Sequence, residues 1–182
     1  MSDEQLVHRL DIDAPIDVVW SIMIDFADYG RWNPFVVEAH ASGQLGVGSP
    51  LRLTARMPAG WRTRTRHRIT AWSPPDGGAA RLGYEVVGPL TLLVGGARMQ
   101  TLESLSPTQT RYTSIEAFRG PMARFAPARQ VEEGVIRHAD GLKWAAEGVV
   151  RARRAESERS GARRVPQPQI CLLYTSPSPR DS

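Results

Sequence analysis

The sequence predicts an α+β domain in which one antiparallel sheet curls around a long C-terminal helix. Three observations predict it: a strand pattern followed by a helix pattern opens the chain, alternating segments separated by turn residues fill the middle, and a pattern of helical period begins near Ala128. An order of strand, helix, several strands and helix is typical of α+β domains. A cavity can form between the concave face of such a sheet and the helix.

The first two elements are a strand and a helix. Residues 6–12 alternate between two sets of side chains, which is the period of a strand. Pro15 is tolerated in the first turn of a helix, and Asp13 is expected to cap the free N–H groups there. Apolar residues then recur at helical spacing as far as about Asp25. The aromatic-rich segment 26–35 is predicted to bend, because Pro34 cannot continue a helix.

Successive strands are predicted from Phe35 to Arg119, since Gly, Pro, Asp and Ser clusters interrupt the alternating segments. The segment from Trp61 to Trp72 alternates most clearly. One of its faces is predicted to point to solvent and carries Arg62, Arg64, Arg66 and Arg68. The opposite face is predicted to point inward and carries Thr63, Thr65, His67 and Ile69.

The last predicted element is a helix from about Ala128 to Arg154. Its apolar stripe, typical of a helix that packs on a core, consists of Val131, Val135, Leu142, Ala146 and Val149. Gly134, Gly141 and Gly148 form a second stripe, although each glycine costs a helix about 1 kcal/mol relative to alanine. This stripe predicts a close approach, either of sheet backbone or of a ligand, with packing the preferred interpretation.

The charge distribution gives little support to a nucleic-acid partner. Residues 1–150 carry as many basic as acidic side chains, and the net charge of +4 arises between Arg151 and Ile170. Folded nucleic-acid modules usually spread a basic patch over the domain. The acidic N-terminus has no apolar run of signal-peptide type, and no run approaches the length of a membrane span. We therefore expect a cytoplasmic protein, monomeric or weakly dimeric.

The chain is expected to contain one domain, residues 1–154, followed by a disordered basic tail over residues 155–170. Residues 171–182 (CLLYTSPSPRDS), translated back into DNA, match a transposase-type sequencing-library adapter. Added segments of this kind are excluded from structural arguments. We expect residues 171–182, which hold the single cysteine, Cys171, to be non-native, extended and functionally silent.

Several segments resemble one protein superfamily. They are the strand-to-helix segment 12–20 (IDAPIDVVW), the bend 25–35 (DFADYGRWNPF), the strand 98–105 (RMQTLESL), residues 110–112, and a Glu-x-Phe-x-Gly ending at Glu116–Gly120. Together they resemble the bacterial-type START-like or SRPBCC superfamily, which includes the polyketide cyclase/dehydrase and lipid-transport family. The resemblance implies a helix-grip fold with about seven strands and a site for an apolar ligand. Many relatives have His and an aromatic residue where Arg98 and Gln100 stand here.

The predicted inward faces supply the candidate site residues. The candidates for ligand binding are Trp61, His67, Arg98, Gln100, Tyr112, Glu116, Phe118 and Leu142. His67, Arg98 and Glu116 are also the candidates for catalysis. Arg98 and Glu116 are expected to pair, because a buried unpaired charge is costly. Glu116 and His67 could also be purely structural, and the same holds for His138. No metal cluster, phosphate loop or nucleophile elbow is recognisable, so no cofactor or metal is expected.

Three functions are compatible with the sequence. The leading hypothesis is a binding module that holds a small hydrophobic or amphipathic molecule between sheet and helix. The second is an enzyme similar to aromatic polyketide cyclases or dehydratases, in which His67, Arg98 or Glu116 assists enolisation or dehydration. A weaker alternative is a protein-interaction module. A cyclase needs at least one acid or base in the cavity with a shifted pKa, whereas a carrier needs volume and few ionisable groups.

Overall fold

A computed structural model of the chain describes residues 5–57, 60–89, 91, 93, 95–122 and 128–162. Strand β1 (Gln5–Ile12) is followed by helix α1 (Ile16–Ile24), a 3₁₀ turn (Phe26–Asp28) and the short helix α2 (Tyr29–Trp32). The remaining strands are β2 (Val36–Ala41), β3 (Pro50–Arg56), β4 (Arg62–Asp76), β5 (Ala79–Val86), β6 (Gly95–Ser106) and β7 (Gln109–Arg119). Helix α3 (Ala128–Ala162) closes the described chain, and the order confirms the predicted α+β fold.

The seven strands form one curved antiparallel sheet in the order β1-β7-β6-β5-β4-β3-β2. The pairing register aligns Leu6, Glu116, Arg98 and Tyr84, one residue from each of four adjacent strands. Side chains at directly paired positions lie on the same face of a sheet. The fold therefore brings an arginine, a glutamate and a tyrosine into one row on the face that α3 covers.

One end of the space between the sheet and α3 is filled by core side chains. Leu142 and Ala146 of α3 are fully buried there, as are Leu102 and Tyr112 of the sheet. Trp20 is also buried, and its ring packs edge-on against that of Trp72 at 5.3 Å. The predicted outward face of β4 is confirmed, since all four of its arginines are exposed.

The glycine stripe of α3 faces the segment that joins α2 to β2. A Cβ added to Gly134 would lie 2.3 Å from the ring of Phe35, and one added to Gly141 would lie 2.5 Å from the carbonyl oxygen of Trp32. At Gly148 the nearest atom would be 3.7 Å away and belongs to Arg151 of the same helix. The predicted close approach is therefore packing, but by residues 26–35, which we call the aromatic bend, instead of the sheet, and it involves two of the three glycines.

Two details differ from the sequence-based expectations. The side chain of Asp13 does not cap α1; its Oδ1 atom accepts a hydrogen bond from Gln109, and Pro15 occupies the N-cap position. Helix α3 extends to Ala162, past the predicted end at Arg154. The residues from 155 to 160 contain no glycine or proline and are mostly good helix formers, so they continue the helix where a disordered tail was expected.

The described residues do not extend to the whole C-terminal region. The rest of the expected basic tail, from residue 163, and the adapter-like residues 171–182 lie outside them. Within the described part of the chain, none of the helices combines the length and the apolar character needed to cross a membrane.

Candidate functional site

A cavity of about 580 Å³ lies between the sheet and the first turns of α3, at the end that the core leaves open. Strands β2 to β7, the aromatic bend and α3 all contribute to its lining. Most of the lining is apolar and includes Phe35, Leu53, Met57, Val86, Phe118 and Val131. Trp61 lines the edge of the cavity and is 51% exposed. Cavities of this size and character are typical of sites for small organic molecules.

One side of the cavity carries the ionisable side chains found among the described lining residues, which we call the polar wall: His67, Tyr84, Arg98 and Glu116. Strands β4 to β7 each supply one of them. Arg98 and Glu116 form the predicted pair, with 2.8 Å between Nε and Oε1. The ring of His67 lies edge-on to that of Tyr84 at 5.3 Å, and its Nε2 atom is hydrogen-bonded to the hydroxyl of Thr65. The site thus combines an apolar volume with a small cluster of polar groups.

Two hydroxyl groups hold the guanidinium of Arg98 in place. Its Nε donates a hydrogen bond to Oγ of Ser114 at 3.0 Å, and its Nη2 donates to the hydroxyl of Tyr112 at 3.3 Å. Because the Nε hydrogen is directed at Ser114, Oε1 of Glu116 receives no hydrogen bond from the described residues despite its short distance. The ion pair therefore depends on proximity more than on directed hydrogen bonds.

Burial shifts the pKa values of the polar wall. It raises the pKa of Glu116 to about 7, and the nearby Arg98 opposes this rise. Burial, assisted by the positive charge of Arg98, lowers the pKa of His67 to about 4. Burial also raises the pKa of Tyr84 to about 12. Near neutral pH the wall therefore has one permanent cation, a carboxyl group that takes up a proton more readily than an ordinary glutamate, and a neutral imidazole and phenol.

A chain of buried side chains, which we call the buried network, supports Arg98 from behind: Asn33, His138, Gln100 and Tyr112. Oδ1 of Asn33 accepts hydrogen bonds from the backbone N–H groups of Phe35 and Val36, so its Nδ2 donates to Nδ1 of His138 at 2.7 Å. Nε2 of His138 then carries the hydrogen and donates to Oε1 of Gln100 at 3.1 Å. Burial lowers the pKa of His138 well below its ordinary value, so the ring is neutral.

The buried network ends at the polar wall. The hydroxyl of Tyr112 donates to Oε1 of Gln100 at 2.7 Å, which leaves its oxygen free to accept from Arg98. The aromatic bend, helix α3 and two strands are thus connected to one guanidinium. This connection restricts the positions that Arg98 can adopt within the cavity wall.

The structure separates the predicted site residues into two groups. Trp61, His67, Arg98, Glu116 and Phe118 line the cavity, and their role in ligand binding stays a prediction. Gln100, Tyr112 and Leu142 do not, because all three are fully buried at the core-filled end. Alternation predicts correctly that Gln100 and Tyr112 face α3, but it contains no information about how far along the sheet the cavity extends.

Two residues of the site are not among the candidates that the sequence predicts. Tyr84 belongs to the polar wall, and the signal for it was the alternation in β5 of Ala80, Leu82, Tyr84 and Val86. Asn33 begins the buried network, and the signal there was an asparagine before a proline, a pair typical of a bend whose backbone N–H groups need acceptors. Neither signal reveals which distant side chain would complete the contact.

Comparisons with known proteins agree with this architecture. The sequence profile of the family described as "Polyketide cyclase / dehydrase and lipid transport" matches residues 4–147. No curated protein matches the chain by sequence.

Solved structures show the same fold in proteins of low sequence identity. The aromatase/cyclase ZhuI from Streptomyces sp. R1128 is 17% identical with a TM-score of 0.69, over 83% of this chain and 98% of that one. A START superfamily protein from Mycobacterium smegmatis is 15% identical with a TM-score of 0.61, over 81% and 99% of the two chains. A point mutant of norcoclaurine synthase from Thalictrum flavum is 15% identical with a TM-score of 0.60, over 81% of this chain and 98% of that one. At these identities the similarity establishes the fold alone.

Proposed function

The chain belongs to the polyketide cyclase/dehydrase and lipid transport family, and on that premise we propose that it binds a small, largely apolar molecule in the cavity between sheet and helix. The observation that carries the proposal is the open cavity of about 580 Å³ with its apolar lining. An apolar lining favours an apolar ligand, because binding removes the apolar surface of both from water. A protein-interaction module has no need of such an internal volume.

The polar wall supports a ligand with one polar end. Its ionisable groups cluster on one side of the cavity, whereas Leu53, Met57 and Val131 present apolar surface elsewhere. A few polar groups in an apolar pocket orient a ligand without supplying most of the binding free energy. The exposed arginines of β4 lie on the opposite face of the sheet, so the proposal involves no nucleic acid.

The proposal is tested by filling the cavity from one strand. Thr63 of β4 lines the cavity, whereas its neighbour Arg64 is exposed on the other face. Thr63→Trp is expected to weaken binding of the neutral fluorophore N-phenyl-1-naphthylamine by about tenfold or more, since its indole would occupy ligand volume. Arg64→Trp, the matched control, should leave the affinity unchanged. Fluorescence titration measures both, and equal affinities in the two variants would contradict the proposed site.

A second candidate function is catalysis of the cyclase or dehydratase type, and the carboxyl group of Glu116 favours it. General acids and bases work best when their pKa lies near the working pH, and the pKa of Glu116, about 7, meets this condition. His67 meets it less well, because its pKa of about 4 leaves it neutral and weakly basic. If the protein is an enzyme, Glu116 is therefore the residue we expect to transfer the proton.

The two functions differ in the effect of Glu116→Gln. For an enzyme, this variant should lose about 100-fold or more in turnover of an aromatic poly-β-ketone, while its affinity for N-phenyl-1-naphthylamine stays unchanged. His67→Ala serves as the comparison and should affect turnover much less. Product formation by the wild type, followed by chromatography, is the measurement. If the wild type forms no product above the buffer rate, the carrier function stands.

A further inference from the structure

The ion pair in the polar wall does not use the hydrogen-bonding capacity of either partner fully. A guanidinium has five N–H groups, and Arg98 directs two of them at the hydroxyls of Ser114 and Tyr112. A strong carboxylate pair would be bidentate, with two parallel N–H···O bonds. Glu116 instead lies beside Nε, and its Oε1 lacks a hydrogen bond from the described residues. Tyr84 is a further hydrogen-bonding neighbour of Arg98, but a guanidinium that lines the cavity with five N–H groups can still donate to an anionic ligand.

The charge around this pair is nearly balanced. Among the described lining residues, Arg98 is the one basic side chain of permanent charge and Glu116 the one carboxylate, while His67 and Tyr84 are neutral near pH 7. Strand β1 places Leu6 opposite Glu116 and His8 opposite Ser114. Helix α3 contributes apolar Val131 to the lining and neutral His138 to the buried network.

This balance restricts the charge that a ligand can bring. A buried cation needs one negative partner, and two carboxylates side by side in a site of low polarity repel each other. An anionic ligand could therefore pair with Arg98 only if Glu116 becomes neutral. A cationic ligand would be repelled by Arg98, which keeps its proton at every accessible pH.

We propose that the ligand is an apolar molecule with a single acidic group, which pairs with Arg98 while Glu116 takes up one proton from solvent. This inference rests on the proposed ligand-binding function and specifies its ligand class. The protonated carboxyl group can donate a hydrogen bond to the second oxygen of the ligand's acidic group, a role that the ionised form cannot perform. Because burial already raises the pKa of Glu116 to about 7, this protonation costs little near neutral pH.

The test uses two fluorophores that share one ring system. 8-Anilinonaphthalene-1-sulfonate keeps its negative charge throughout the working range, whereas N-phenyl-1-naphthylamine lacks the sulfonate and is uncharged. The affinity of the anionic fluorophore should be constant below about pH 7 and then fall toward tenfold per pH unit, because each binding event must add a proton. The affinity of the neutral fluorophore should stay constant from about pH 5.5 to 9. Calorimetry in two buffers of different ionisation enthalpy measures the proton taken up.

Glu116→Gln is the decisive variant, because glutamine has the same size but no charge. It should bind the anionic fluorophore equally well near pH 6 and pH 8.5, whereas the wild type should lose about tenfold or more across this interval. Arg98→Met should lose most of its affinity for the anionic fluorophore and keep that for the neutral one. If Arg98→Met does not fold, the pH dependence of the two fluorophores' affinities, compared between Glu116→Gln and the wild type, still tests the acidic-ligand inference.

The outcomes separate this inference from the proposed function. Equal affinities of the two fluorophores at every pH, or an unchanged pH dependence in Glu116→Gln, would overturn the acidic-ligand inference while leaving ligand binding intact. Failure of both fluorophores to bind, or binding that Thr63→Trp does not weaken, would overturn the proposed function itself.

Discussion

At the scale of single residues, the chemistry of the site follows from the removal of ionisable groups from water. Burial shifts the pKa values of Glu116 and His67 in opposite directions, and in both cases it favours the neutral form. Arg98 cannot become neutral, so it is held by Glu116 and by two hydroxyl groups instead. The same shifts link the stability of the protein to pH.

The signs of these two links are opposite. Glu116 binds its proton up to about pH 7 in the folded chain but only to about 4.5 when unfolded, so its contribution is complete below 4.5 and is lost as pH rises through 7. His67 is neutral down to about pH 4 when folded but only to 6.5 when unfolded, so its contribution is complete above 6.5 and is lost as pH falls through 4. Between pH 4.5 and 6.5, the decrease in stability with rising pH that Glu116 causes is largely offset by the increase that His67 causes.

Glu116→Gln should remove the contribution of Glu116 to the pH dependence of stability and leave that of His67. Relative to the wild type, its free energy of unfolding should increase by about 1 kcal/mol for each pH unit between 4.5 and 7. Urea denaturation at several pH values measures the difference. Glu132→Gln, which changes an exposed residue of α3, is the control and should give a curve parallel to that of the wild type. A parallel curve for Glu116→Gln would show that the carboxyl group is not buried as described.

At the scale of elements, α3 packs closely against the aromatic bend because two of its glycines have no side chain. Gly134 and Gly141 allow the aromatic bend to approach the helix more closely than any side chain would permit. The spacing of seven residues predicted a close contact, because glycine is unfavourable in a helix without a compensating reason. The contact partner could not be predicted, since it lies about a hundred residues away in the sequence and is determined by tertiary packing.

Replacing two of these glycines by alanine should have opposite effects. Gly141→Ala gains helix propensity but places a methyl group 2.5 Å from a backbone oxygen of Trp32, and should lower the free energy of unfolding by about 1–3 kcal/mol. Gly148→Ala meets no atom closer than 3.7 Å and should raise it by up to about 1 kcal/mol. Chemical denaturation measures the free energy of unfolding of both variants and of the wild type. A stabilised Gly141→Ala would contradict the close packing described for α3.

The alternation of the strands shows what local patterns can and cannot predict. In β4 it correctly assigned His67 to the inner face and the four arginines to the outer one, because the period of a strand is two. It could not distinguish Arg98, which lines the cavity, from Gln100, which is sealed in the core two residues later. The boundary between them depends on where α3 and α1 fill the sheet, and no local pattern records that position.

At the scale of the whole molecule, the fold could be predicted because several independent features of the sequence indicate the same architecture. The order of the periodic segments, the turn residues between them and the family-like segments all indicate the same sheet and helix. The ligand could not be predicted in the same way. It depends on a cavity whose volume and charge arise from six strands, a bend and a helix together.

One residue of the aromatic bend belongs to both the helix contact and the cavity. The ring of Phe35 packs against Gly134 and also lines the space that a ligand would fill. A larger or smaller side chain at either position alters the cavity volume available to a ligand, whereas the ionisable groups lie on β4 to β7. A substitution at Phe35 or Gly134 can therefore change the size of the ligand that fits without changing any charge of the polar wall, so related chains can diverge in ligand size while they keep the same preference for ligand charge.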